Sequence, residues 1–475
     1  MHESWQTNYN DIKEEIERFE LMESGVKTFY FDVHTIENIF DFYTDKFQYD
    51  KAEKVLKIGI HQHPDSTSLQ VKKAIILMEK GDDPMAIRLM ERLIKFEQSN
   101  PEIFLHLGLA YLRNNRITES IKFFKLALEQ AFEDGEDILL DIAIYLNQQD
   151  QYKHTISFLN EGCETYPDSE SLLFELAYAY DKEGNVVKGQ ETYQRLLDIN
   201  PFSENAWYNL GILYIKNEDY KNAIVCYDYT LALNPEHAEA LFNKANSLVS
   251  LGNLLEAIDY YIEYISFGYD HLLPYHYIAD CYDQEGNHDM ALRFYRLTVK
   301  SDPLYLPGWL NYLAHLINNT IIEEAITASS QAIKHLPQIG EIWYLRARVL
   351  LLNGDFEGAL PALQFCFEDD PDSLRNIYEL FQVKKVVSPR KKPEKMIKDW
   401  LKSYPDSAAV HYLATSFYLL EERDLKKASH HLEIALNENI SDYDFFIEIF
   451  PKIPKMISKS KKLARILNKY SSYEL

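Results

Sequence analysis

The chain has 475 residues, of which 16 are glycine and 17 proline. That is roughly 7% of turn formers against an average near 12%, which excludes an all-β protein rich in tight hairpins and favours helices joined by brief loops. Lys+Arg 49 against Asp+Glu 74 leave a net charge of −25, and 46% hydrophobic residues suffice for a core. Such a field repels phosphate backbones and anionic lipid, so neither nucleic acid nor a membrane surface is the expected partner. No apolar run exceeds five residues (Ala74–Met78 is one), where a membrane span needs roughly 18.

The chain opens Met1-His2-Glu3-Ser4-Trp5, with neither a basic nor an apolar stretch of a secretory signal. Cys163, Cys226, Cys281 and Cys366 show no C-x-x-C spacing. Buried free thiols and a cytoplasmic location are therefore expected. Residues 1–32 carry Ile12, Ile16 and Phe19 at helical spacing among acidic residues, which suits N-terminal capping helices over the first of a series of repeated units.

The repeats begin at Val33. Pro167, Pro201 and Pro235 lie 34 residues apart, as do Pro303, Pro337, Pro371 and Pro405. A second marker runs in step: Ala52 and Ala86, then Ala223, Ala257, Ala291, Ala325 and Ala359. In the clearest unit, counted from Glu204 as position 1, Trp207, Leu210, Gly211 and Tyr214 fall at positions 4, 7, 8 and 11. Ala223, Tyr227 and Pro235 follow at positions 20, 24 and 32. This resembles the tetratricopeptide repeat (TPR), with its 34-residue W-x2-L-G-x2-Y…A-x3-F…P pattern. Trp309 and Trp343 recur at position 4, and Ala177, Ala245, Ala279 and Ala347 replace the glycine at position 8. In phase, units start at Val33, Thr67, Pro101, Glu136, Glu170, Glu204, Ala238, Leu272, Leu306, Gly340, Leu374 and Ala408.

The pattern has a physical reading of its own. Positions 4, 7, 8 and 11 form one stripe of a first helix, and positions 20, 24 and 27 one stripe of a second. Small residues at 8 and 20 let the two backbones approach, while bulky ones at 4, 11 and 24 fill the space beside them. Proline at 32 ends the second helix. A hairpin that cannot bury both faces stacks on the next. The expected fold is all-α: a right-handed superhelix (α-solenoid) of about twelve antiparallel helix-turn-helix units with terminal caps. Units 1–10 span 33–373.

The unit at 374–407 is degenerate. Lys384, Lys385, Pro389, Arg390, Lys391, Lys392 and Pro393 stand where its second helix should begin. This basic insertion is either a docking loop for an acidic partner or a solvated connection. A last unit occupies 408–442. Residues 443–475, with Phe445, Phe446, Ile449, Leu463, Ile466 and Leu467 on a basic background, read as C-terminal capping helices.

Catalytic and nucleotide-binding signatures are absent, among them H-E-x-x-H, G-x-S-x-G and G-x-x-x-x-G-K-[ST]. His61-Gln62-His63 reads as a polar turn, since no third ligand has defined spacing nearby. His430 and His431 point to different sides of one helix. No enzyme activity, cofactor or metal is expected.

What remains is the other face of the first helices, positions 2, 5, 6, 9 and 13, which the superhelix turns inward. Position 5 carries Phe174, Tyr208, Phe242, His276, Leu310 and Tyr344. Position 6 carries Glu175, Asn209, Asn243, Tyr277, Asn311 and Leu345, with Asn246 at position 9 of its unit. A carboxamide can pair with both groups of an extended peptide backbone. The repeated asparagine is similar to the ladders in the TPR superhelix of O-linked N-acetylglucosamine transferase. The carboxylate clamp that grips chaperone C-termini is not present, because of its five positions only Asn209 matches. Acidic Glu175, Asp181, Glu239, Asp280, Asp283 and Glu341 outnumber Lys182, Lys216 and Arg348 on this face. The expected partner is a protein or peptide, extended and carrying Lys or Arg. A regulatory sensor and a self-associating array (a homo-oligomer) stay open as alternatives.

Overall fold

The computed structural model of the protein describes residues 2–131, 134–388 and 392–471, with side chains from residue 12 to 470. Among these residues there are helices and turns and no strand. First helices begin at Val33, Thr67, Pro101, Glu170, Glu204, Ala238, Leu272, Leu306, Gly340, Leu374 and Ala408, each at its expected residue. One starts a residue early, at Gly135 rather than Glu136. Before the repeats lies a single helix, His2–Glu23, followed by a non-helical stretch to Asp32. The chain divides into two compact units, Met1–Ala240 and Leu241–Leu475. The 34-residue period runs through that boundary without a mark.

Within each unit the hairpins repeat one set of local devices. Second helices are capped at position 16 by Asp82, Asn185, Asp219, Asn287 and Asp355, whose side chains accept a backbone N–H of the first turn. Position 15, just before the cap, is left-handed: Gly81, Gly184, Gly252, Gly286 and Gly354 take φ of 76–81° there. The Asn185 N–H reaches back to the Tyr180 carbonyl at 2.9 Å, the closing bond of a Schellman turn. Glu218 and Thr320 adopt the same conformation, at φ 58° and 57°, although a Cβ makes it costly. Thr320→Gly should therefore raise the stability of the second unit by about 1 kcal/mol, read as a higher urea midpoint. A lower midpoint would mean the threonine side chain contributes more than its backbone costs.

The core follows the small-and-large rule. Tyr193 and Tyr227 in the first unit, and Tyr261 and Tyr295 in the second, fill position 24 and are buried. At position 8, Gly211 faces Tyr227 so closely that an added Cβ would stand 2.7 Å from the ring. The position-4 indoles of Trp207, Trp309 and Trp343 donate to the carbonyls of Pro201, Pro303 and Pro337 at 2.8–2.9 Å. His411 does the same work, with Nε2 2.8 Å from the Pro405 carbonyl. In the last repeat imidazole thus makes the contact that indole makes in three others, while position 4 elsewhere holds residues without a ring N–H, such as Leu173, Leu241 and Ile377.

The degenerate unit still forms a helix pair, Leu374–Val387 and Pro393–Ser403. Pro393 opens the second helix instead of breaking it, because the first helical position needs no N–H. Lys385 pairs with Glu421 at 2.8 Å, and Lys384 donates to Gln364 at 2.7 Å. Pro389, Arg390 and Lys391 of the basic insertion lie outside the described residues. The C-terminal segment forms short helices that place Phe446, Ile453, Ile457 and Leu463 in the core.

Candidate binding surface

In the first unit the positions expected to line a groove are partly covered. Phe174 is half-buried and edge-on to Tyr193, centroids 5.7 Å apart. Tyr208 lies 4.7 Å from the His237 ring and 6.0 Å from Tyr227. Asn209, beside it, is half-buried. Two acids on this face are already engaged. Asp181 binds Lys216 Nζ at 2.6 Å, and Glu175 accepts from Asn147 Nδ2 at 2.7 Å.

The second unit is richer. Phe242 packs against Tyr261, Tyr264 and Tyr277 with centroids 5.6–5.8 Å apart. Asn243 is half-buried on the same helix. Asn246 Oδ1 accepts the Tyr261 hydroxyl at 2.5 Å, which fixes its amide so that the Nδ2 end is the donor left to a ligand. Asp280 is a hub. It accepts from Tyr295 Oη at 2.7 Å and from Asn311 Nδ2 at 3.0 and 3.2 Å, and its Oδ2 lies 3.5 Å from His276 Nε2. Asn311 therefore keeps its carbonyl end free while its nitrogen is committed across to the preceding hairpin. At this rung the carboxamide thus differs from the ladder expected, in which each asparagine offers both ends.

His276 also differs from its expectation. It is 6% exposed and packs against Tyr277 and Tyr305, so position 5 in this hairpin is a packing site. Burial pushes the imidazole below its ordinary pKa, with Asp280 opposing. Tyr344 is half-buried and donates to Glu379 at 3.4 Å. Burial pushes the Glu379 carboxyl up, against the pull of Arg375 and Arg348. Beside this group lies a cavity of about 300 Å³ lined by Gly340, Glu341, Tyr344, Cys366, Asp369 and Arg375.

His63 and the cysteines are occupied or buried. His63 Nε2 lies 2.7 Å from the Phe31 carbonyl. The four cysteines are free and buried, and burial pushes the thiols of Cys226, Cys281 and Cys366 up to about 12, away from nucleophilic thiolate. No helix among the described residues is long and apolar enough to cross a membrane. Sequence reasoning passed over Glu379, Arg375 and His315. A signal for the last was present: a histidine set between the core residues Leu313 and Leu316.

Hairpins of this design, stacked by small residues at positions 8 and 20 and closed by a left-handed turn, define the α-solenoid class. The chain carries tetratricopeptide repeats, which family models match at residues 71–135, 171–203, 204–237, 238–267 and 321–364. It is 25% identical over 213 residues to a TPR repeat-containing protein of Methanocaldococcus jannaschii, covering 43% of this chain and 36% of that one. It is 26% identical over 203 residues to the TPR repeat-containing protein YvcD of Bacillus subtilis, covering 36% and 42%. The human protein O-mannosyl-transferase TMTC3 is 22% identical over 216 residues, covering 44% and 23%. The chain thus spans less than half the length of each of these relatives. Among solved structures it is similar to YrrB, a TPR protein with an unusual peptide-binding site, at 17% identity and a TM-score of 0.34, covering 40% of this chain and 97% of that one. The Naa15/Naa10 structure bound to HypK-THB is similar at 16% identity and a TM-score of 0.36, covering 84% and 68%.

Proposed function

We propose that this protein is a non-catalytic scaffold that binds an extended peptide segment, or a partner protein presenting one, along the inward positions of its first helices. The observation that carries this reading is the set of half-buried aromatic rings, Phe174 and Tyr208 in one unit and Phe242, Tyr277 and Tyr344 in the other, all but Tyr277 beside a carboxamide or a carboxylate. Rings of this kind offer apolar area at little entropic cost, and the adjoining polar groups set the register of a backbone. Asp280, Asp283 and Glu341 favour a ligand carrying Lys or Arg, whose binding should weaken as salt rises.

The test is selection from a random peptide library on the full chain, followed by titration of the recovered peptides. Lys- or Arg-containing extended peptides are expected. They should bind at least about tenfold more weakly to the triple variant Asn209→Ala, Asn243→Ala, Asn311→Ala, the loss expected when bound polar groups lose partners. Asn311→Ala alone should cost about 1 kcal/mol of stability, because it also releases Asp280. Recovered peptides that bind parent and triple variant equally would remove the proposal.

A further inference from the structure

Three side chains from three successive helices meet at one point of the second unit. Asp283 lies in the last turn of the helix Leu272–Gln284, His288 opens the helix His288–Ser301, and His315 lies within the helix Leu306–Asn318. Asp283 Oδ1 stands 2.8 Å from His315 Nδ1 and 3.6 Å from His288 Nδ1. One ligand atom from each residue falls within 4.8 Å of the other two. A tetrahedral zinc ion, with bonds of about 2.0–2.1 Å, holds its ligand atoms roughly 3.3 Å apart. The two measured carboxylate–imidazole separations bracket that value.

We propose that Asp283, His288 and His315 form a binding site for one divalent zinc-type cation, with water at the fourth position. Two imidazoles and one carboxylate are a borderline donor set, suited to zinc or cobalt and poorly suited to magnesium or calcium, which take oxygen. Preorganisation supports the site. The His315 side chain is fully buried, its ring lies against Tyr295 at 5.4 Å, and its Nδ1 already faces the carboxylate. Asn319 Nδ2, 3.5 Å from that nitrogen, also donates to the His315 carbonyl at 2.9 Å, so it can yield Nδ1 without being orphaned. The other ring nitrogen, Nε2, is buried without a hydrogen-bond partner. The Asp283 contact is thus what the fold provides in return for burying this imidazole, a small return for a polar ring.

His288 is the adjustable ligand. It is 53% exposed and its ring centroid is 5.6 Å from that of His315, so of the three side chains it has the most room to move. The cap of its helix is Asn287, so the ligand carries no capping duty. Local charge favours a cation. Asp280 adds a second carboxylate one turn earlier on the helix of Asp283, while the nearby Arg296 guanidinium is taken up by Glu324 through two bonds of 2.6 Å. A bound ion would join the first helices of two neighbouring hairpins, alongside the Asp280–Asn311 bond that already crosses between them. Its effect would be to stiffen this part of the stack.

The test uses the full chain stripped of metal with EDTA, then titrated with zinc chloride by calorimetry and with cobalt chloride by visible absorption. The parent should bind one more equivalent of zinc than His288→Ala or Asp283→Asn, or bind it at least about tenfold more tightly than either. Its cobalt form should show the intense visible bands of a four-coordinate ion, weakened or lost in both variants. His288→Ala, at an exposed helix start, should keep the parent's far-ultraviolet circular dichroism, and Asp283→Asn keeps the side-chain shape. Identical zinc isotherms in parent and both variants would place the metal on other histidines and overturn the proposal. So would a parent that gives no four-coordinate cobalt spectrum.

Discussion

Gly211→Leu should destabilise the first unit by about 3 kcal/mol, at the upper end of what overpacking a core costs, while Gly211→Ala should change it by less than about 1 kcal/mol. The contrast follows from geometry. An added Cβ at Gly211 meets Tyr227 Cε1 at 2.7 Å and Cζ at 3.0 Å, so something must shift. In three other hairpins the same pair is alanine with tyrosine: Ala177 with Tyr193, Ala245 with Tyr261 and Ala279 with Tyr295, all buried. The ring therefore has a nearby position that accepts one methyl. The helix gain of alanine over glycine, about 0.5–1 kcal/mol, offsets what the shift costs. A leucine side chain has no such place, and its extra carbons must push the two helices apart. Urea denaturation of both variants decides this. Equal midpoints for Leu and parent would mean that position 8 is not the closest approach of the hairpin.

The second large effect is loss of stability in mild acid. His106 lies in a buried environment, its Nδ1 has no hydrogen-bond partner, and burial together with Lys72 holds its pKa down to about 4. His431, stacked on Tyr418 and 3.0 Å from His411 Nδ1, is held down to about 4 by burial and by His411, His430 and Lys427. A folded-state pKa below the ordinary 6.5 means the unfolded chain binds the proton more readily. The stability each group contributes is complete above pH 6.5 and disappears as pH falls through 6.5 toward 4. At pH 5 the loss is about 2 kcal/mol per histidine.

Glu102 opposes this trend locally. Burial pushes its carboxyl up, so on acidification the folded state takes up that proton more readily. The isolating measurement is therefore a comparison of variants: His106→Gln should lower the pH dependence of the first unit's stability between 6.5 and 4 by close to one proton. A slope unchanged from the parent would show that carboxylates, not this imidazole, govern the acid transition. His106 belongs to the first unit and His431 to the second, so the same experiment with His431→Gln should move the second unit alone.

Much of the fold was legible in the chain because a repeat writes each contact many times. Proline at position 32 and alanine at position 20 mark where most of the hairpins turn and touch, and the helix starts at Val33, Thr67 and Glu204 follow from their shared period. The left-handed turn at position 15 was visible too in Gly184, Gly252, Gly286 and Gly354, but Glu218 and Thr320 occupy the same place and obscure it. Such exceptions arise because a closed Schellman turn and a packed hairpin can carry about 1–2 kcal/mol of backbone strain. His411 at position 4 escaped notice for a related reason. A residue-type pattern looks for indole, whereas an imidazole at the same position reaches the proline carbonyl equally well.

By itself, then, the order of residues determined the local structure: helix phase, the small and large residues of each hairpin, the thiols out of solvent and the excess of acid. Only the tertiary structure decided which polar groups stay available. Asn311 gives its nitrogen to Asp280, Asn246 gives its oxygen to Tyr261, His276 is packed away, and Asp283, His288 and His315 come together from three helices. The physical reason is range. Contacts inside a hairpin follow from spacing along two helices of known pitch. Contacts from one hairpin to the next depend on how the stacked helices are offset, which the sum of all their buried side chains sets and no single spacing records.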